Sequence, residues 1–110
     1  MLVQVKAKMW VVDPAAALSA LAEPRRRAIL ALVRDQPRSV GEIAARFDVS
    51  RQAVSQHLGV LRNAGLVDVR QQGQRRLYVV RPEGLAGVEA LLAELWPTSL
   101  QRLKRAVEES

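Results

Sequence analysis

The 110-residue sequence predicts a mainly α domain carrying one small β-hairpin, on three observations. Apolar residues recur at helical spacing through most of the chain. Helix-start signals at Asp13-Pro14, Ser39 and Ser50 divide that pattern into segments. Two short β-branched runs in "LVDVRQQGQRRLYVV" flank Gln72-Gly73, the signature of a hairpin. The expected order is four helices, the hairpin and a closing helical region.

Residues 1–12 alternate Val3, Val5, Ala7, Met9 and Val11, which reads as a short strand or a basic arm. Gln4, Lys6 and Lys8 interrupt the segment too often for a signal-peptide core, and Met9 is an alternative start. Residues 13–96 are expected to form the domain, and 97–110 a helical extension that serves dimerisation.

Asp13 supplies an N-cap carboxylate and Pro14 the first helical position. The helix that follows, "PAAALSALA", is apolar almost all round and needs burial on more than one side, part of it against a second copy. Pro24 opens the next helix, where Ile29, Leu30, Leu32 and Val33 form the core face, ending before Pro37. Ser39 and Glu42 form a capping box for a short helix from about Ser39 to Arg46. "FDV" allows only a tight turn, and Asp48 tolerates the left-handed region better than most residues. Ser50 caps the next helix, Val49 and Val54 stand at hydrophobic-staple positions, and Gly65 ends it. Pro82 starts the last helical region, with Leu85, Val88, Leu92, Leu95 and Trp96 as its stripe. Pro97 should break or kink it before Leu100, Leu103 and Val107 resume the pattern.

Composition narrows the function. The formal net charge is +6, with a pI near 11.0, which favours a polyanionic partner. There is no cysteine, so disulfides and thiolate metal sites are excluded. No apolar run is long enough to span a membrane, and a cytosolic location is the default. An enzyme is not expected. One histidine is present, and Asp13, Asp35, Asp48 and Asp68 fall at caps, turns or a strand rather than converging.

The segment "SRQAVSQHLGVLRNAG" carries the chemistry. At about 100° per residue, Val54, His57, Leu58 and Leu61 share one side, whereas Gln52, Ser55, Gln56, Gly59 and Asn63 share the other. A solvated helix face ordinarily carries paired Lys and Glu. This one carries neutral amides and a hydroxyl, flanked by Arg51 and Arg62. Gln pairs in bidentate fashion with adenine, Ser with several base edges, and Arg51 with guanine or phosphate. A short capped helix, a three-residue turn and a second helix make a helix-turn-helix, with Ala44 small where the two approach. The hairpin adds a wing, whose Arg70, Arg75 and Arg76 can reach phosphates or a minor groove. Gln52, Ser55 and Gln56 are thus expected to read bases in double-stranded DNA. Ser50, Arg51, His57, Arg62, Arg70, Arg75 and Arg76 are expected at its backbone, with packing the alternative for His57.

From Leu18 to Trp96 the sequence resembles the ArsR family of bacterial winged-helix repressors. "LAEPRRRAILALV", "SVGEIAARFDVSRQAVSQHLGVLRNAGLVDVRQQGQRRLYVV" and "LLAELW" carry the likeness. The resemblance implies a homodimer held by the first and last helices, here Leu18, Leu21, Leu92, Leu95 and Trp96. It also implies Ser50 to Asn63 as recognition helix, an imperfect palindromic operator, and repression by occluding RNA polymerase. Metal-sensing members carry Cys-Val-Cys where Ser39-Val40-Gly41 stands, and others use histidine on the last helix, which here has Glu89 and Glu94. No metal or cofactor is expected, and the pattern resembles the autorepressor subgroup without a known small effector. Many relatives have lysine at the position of Gly59: its loss weakens phosphate attraction, while glycine permits a closer approach to the duplex. For Arg25, Arg26 and Arg27 the open readings are an ion pair with Glu23 or another acid, favoured by the resemblance for at least one, or DNA backbone contact. The rival functions are a winged-helix protein-interaction module and a sensor with an effector pocket near Trp10 and Trp96.

Overall fold

The computed structural model of the protein describes residues 13–95, 102 and 104–108. The expectations for residues 1–12, Trp10, Trp96, Pro97, Leu100 and Leu103 lie outside the described residues. In chain order the elements are α1 (Pro14–Leu21), α2 (Pro24–Asp35), α3 (Val40–Phe47), α4 (Arg51–Asn63), β1 (Val67–Gln72), β2 (Arg75–Val80) and α5 (Pro82–Leu95). Among the described residues no helix is long and apolar enough to cross a membrane.

The N-termini of α1 to α4 are capped by side chains, which satisfies backbone groups that a helix terminus leaves unpaired. The Asp13 carboxylate accepts from the Ala15 amide at 3.1 Å and starts α1. Glu23, read from sequence only as a partner for arginine, is the N-cap of α2: its carboxylate accepts from the Arg26 amide at 3.2 Å. The α3 capping box forms in both directions, Glu42 N–H to Ser39 Oγ at 3.2 Å and Ser39 N–H to Glu42 Oε1 at 2.9 Å. Asp48 closes α3 at φ 54°, ψ 49°, in the left-handed region that its short polar side chain tolerates. The end of α4 is a Schellman motif, with Leu66 N–H donating to Leu61 O and Gly65, at φ 79°, donating to Arg62 O.

The core lies under α4. Ile43, Val54, Leu58, Leu61, Leu66 and Val67 are its largest fully buried side chains, and Ile29 and Val33 of α2 close it from the other side. The hairpin is antiparallel with Gln72 opposite Arg75 and Val67 opposite Val80, so its two-residue turn is Gly73-Gln74, one residue beyond the sequence estimate. Gly73 takes φ 62° there. A feature absent from the sequence reading anchors the wing. Arg38, just before α3, forms a bridge with Tyr78, donating to its carbonyl at 3.2 Å and accepting from its amide at 2.7 Å.

Helix α5 begins against the end of α4. A Cβ on Gly84 would collide with the carbonyl oxygen of Gly65, so the helix can lie this close only with glycine at that point. α5 then packs on α1, burying Ala17, Ala20 and Val88. That layer is thin. Leu18 and Leu85 are each 37% exposed and Leu95 is 57% exposed.

Candidate nucleic-acid interface

The orientation of α4 is set by its apolar side. Val54, Leu58 and Leu61 are fully buried, so the opposite side must face solvent. Gln52, Ser55, Gln56, Gly59 and Asn63 are all exposed there. Ser50 caps the helix, its Oγ accepting from the Ala53 amide at 3.0 Å. That hydroxyl therefore orders the first turn of the helix, beside Arg51 and Gln52. The three expected base-reading residues share one exposed face of α4.

One flank of α4 carries the wing. Arg51 folds back over the first turn of α3, with Nη2 3.0 Å from where a Cβ of Gly41 would stand. Any larger side chain at position 41 would displace that guanidinium. Between α3, the start of α4 and the wing runs a groove of about 410 Å³, lined in part by Ser39, Gly41, Arg51, Arg75, Arg76 and Tyr78. Arg75 is engaged within the chain: Nη2 donates to Glu42 Oε1 at 2.8 Å, joining residues 33 apart. The Ser39 amide bond and the Arg75 charge together hold the Glu42 carboxyl below the usual carboxylate range. Strand alternation puts Arg70 on the same face of the hairpin as Arg75 and puts Arg76 on the other. Arg62 lies 3.8 Å from Asp68 at the root of β1 and remains half exposed.

The other flank is built differently. His57 Nδ1 lies 3.8 Å from Glu23 Oε2, and its side chain is 22% exposed. It borders a small pocket of about 100 Å³ with Arg25, Ala28, Ile29, Phe47 and Val49. His57 is thereby placed against residues of α2. Partial desolvation raises the Glu23 carboxyl, but amide bonds from Arg25 and Arg26 and the nearby His57 and Arg26 outweigh it and leave the group below its usual range.

The expected ion pair for the arginine run takes another form. Arg26 Nε donates to Ala20 O at 2.7 Å and Arg27 Nη1 to Leu21 O at 2.6 Å. Both cations sit on the carbonyl end of α1, whose dipole favours them, while the Glu23 carboxylate supplies the negative charge at the start of α2. Sequence proximity hid this, because the partners are backbone oxygens of the preceding helix. Among the described residues no group of three or more His, Asp or Glu side chains is placed to hold a metal.

The expected dimer residues divide. Leu18 and Leu95 are exposed, Leu21 and Leu92 are half-buried against the core, and Trp96 is outside the described residues. Sequence reasoning missed three residues that shape the interface: Arg38 and Tyr78, which pin the wing, and Glu42 in its second role. Only the basic character of the wing hinted that an acid might meet it.

Comparisons with known proteins agree with this architecture. Residues 21–70 match a family model described as a helix-turn-helix domain. The chain is 46% identical over 88 residues to an HTH-type transcriptional regulator of Mycobacterium tuberculosis, Rv2034, covering 80% of this chain and 82% of that one. It is 38% identical to the transcriptional activator HlyU of Vibrio cholerae, covering 72% and 73% respectively. Among solved structures it resembles the homodimeric winged helix-turn-helix DNA-binding domain of Mb0332 from Mycobacterium bovis, described as a possible ArsR-family regulator. That match has a TM-score of 0.62 at 32% identity, over 78% of this chain and 80% of that one.

Proposed function

The chain belongs to the ArsR family of winged helix-turn-helix transcriptional regulators, and we propose that it works as a homodimeric repressor on an imperfect palindromic operator. The observation that carries this reading is the exposed face of α4. Gln52, Ser55 and Gln56 project from a helix whose other side is locked in the core, so they are pre-positioned to meet base edges. Gln52 and Gln56 each present an amide that pairs with adenine, and Ser55 donates or accepts as the base requires.

The backbone contacts follow from the flanks. Arg51, Arg62, Arg70 and Arg76 retain exposed guanidinium groups beside the reading face and supply phosphate contacts, with the capped turn at Ser50 between them. Arg75 pairs with Glu42 across the gap between the wing and α3. His57 supports α4 from the α2 side.

Leu18 and Leu95 are exposed apolar positions a second copy would cover, together with the half-buried Leu21 and Leu92. Two-fold pairing then sets the recognition helices about 34–36 Å apart, one turn of the duplex. Occupancy of an operator that overlaps a promoter excludes RNA polymerase. The chain resembles members without a metal site, since Ser39-Val40-Gly41 supplies no ligand set.

The test is selection from fragmented genomic DNA by the purified full chain at about 0.15 M salt, where merely electrostatic binding is suppressed. An inverted repeat is the expected product. Recovery no better than random fragments would overturn the reading and favour a protein-interaction module. Transcription in vitro from the recovered site then settles direction: loss of transcript is expected, and a gain would make the protein an activator, as the Vibrio relative is named.

A further inference from the structure

We infer that Gly59 is a specificity-determining residue, a gap in the reading face of α4 that lets the DNA duplex seat closer than a side chain would allow. This rests on the proposed DNA-reading role of α4. Glycine in the middle of a helix is costly, because it loses more backbone freedom on folding than alanine and adds no buried surface. Gly84, another helical glycine of this chain, has a reason within the fold. At Gly84 a Cβ would strike the Gly65 carbonyl, whereas at Gly41 it would meet only the movable end of the Arg51 side chain. Gly59 has no such reason. A Cβ placed there meets nothing within 4 Å, and its backbone is not in the left-handed region that calls for glycine.

Its position explains what the fold does not. Ser55 and Gln56 lie four and three residues before it, and Arg62 and Asn63 three and four after. At helical spacing these are its four surface neighbours, so Gly59 is the centre of the polar face. The face is therefore concave along its middle, with side chains on both turns and bare backbone between. A base edge or thymine methyl group entering that notch can approach the α4 backbone while the flanking amides reach to either side. The ligand is double-stranded DNA, and the notch sets how deeply α4 enters the major groove.

The experiment separates folding from binding. Gly59→Ala should raise the melting temperature of the full chain by about 4 °C, compared at equal protein concentration. The same variant should bind the selected operator roughly tenfold more weakly while binding random duplex as before, the size of one disturbed base contact. Gly59→Lys should bind random duplex more tightly, with a salt dependence steeper by about 0.9 per site, and lose preference for the operator. Gly59→Ala that binds the operator as tightly as the parent would overturn the inference. So would a fall in melting temperature, which would reveal a reason inside the fold. If the parent chain selects no site, the DNA-reading role falls and Gly59 with it. If the parent selects a site and Gly59→Ala binds it equally, Gly59 alone falls.

Discussion

The helix-turn-helix with its wing and the α1–α5 layer are built to different degrees of completeness within one chain. In the first, every helix end is capped by a side chain or a Schellman turn, and Ile43, Val54, Leu58, Leu61 and Leu66 are fully enclosed. In the second, Ala17, Ala20 and Val88 are covered, but Leu18, Leu85 and Leu95 stay open to solvent. The difference teaches where the single chain is sufficient. The reading head holds its shape alone, whereas the terminal helices present apolar surface that gains from a second copy.

Deleting core volume gives the largest expected contrast. Leu61→Ala should destabilise the reading head by about 2–5 kcal/mol in chemical denaturation, independent of protein concentration. A loss below 1 kcal/mol would mean that the core under α4 is less complete than the fold implies. Gly84→Ala tests the seam between the two regions. Overpacking against the Gly65 carbonyl should cost about 1–3 kcal/mol in spite of alanine's better helix propensity.

The open layer should answer differently. Leu95→Asn should leave the far-ultraviolet spectrum of the chain unchanged and raise the dimer dissociation constant about tenfold, or about 1.4 kcal/mol, by analytical ultracentrifugation. An unchanged constant would remove Leu95 from the dimer surface. Back in the reading head, Ser50→Ala removes one cap and should cost about 1 kcal/mol of stability.

The smallest effect concerns pH. Glu42 has its carboxyl held below the usual range in the fold, so its contribution is present above the unfolded value near 4.5 and is lost as pH falls through the lower folded value. Glu42→Gln should therefore melt below the parent at neutral pH, and the gap should narrow in acid. Melting curves at several pH values check this, and a gap constant with pH would assign the difference to shape alone.

How much was legible follows from the range of each interaction. Caps at Asp13, Ser39 and Ser50, the left-handed Asp48 and Gly65, and the buried stripe of α4 all depend on residues within about one helical turn of each other. The exposed polar face of α4 was legible for the same reason, since helix period alone separates Gln52, Ser55 and Gln56 from Val54, Leu58 and Leu61. The resemblance added the family and the expectation of a dimer.

The sequence by itself thus determined the elements, their ends and the polar character of α4, because short-range spacing and capping chemistry decide those. Tertiary structure alone decided the pairings across the chain. Glu42 meets Arg75 across 33 residues, Arg38 meets Tyr78, and Gly84 meets Gly65, each through contacts that no local pattern encodes. It likewise turned His57 toward Glu23 and set Arg26 and Arg27 on the carbonyls of α1. For Gly59 the spacing placed the residue on the reading face, and the empty space around its backbone showed that the fold itself has no need of glycine there.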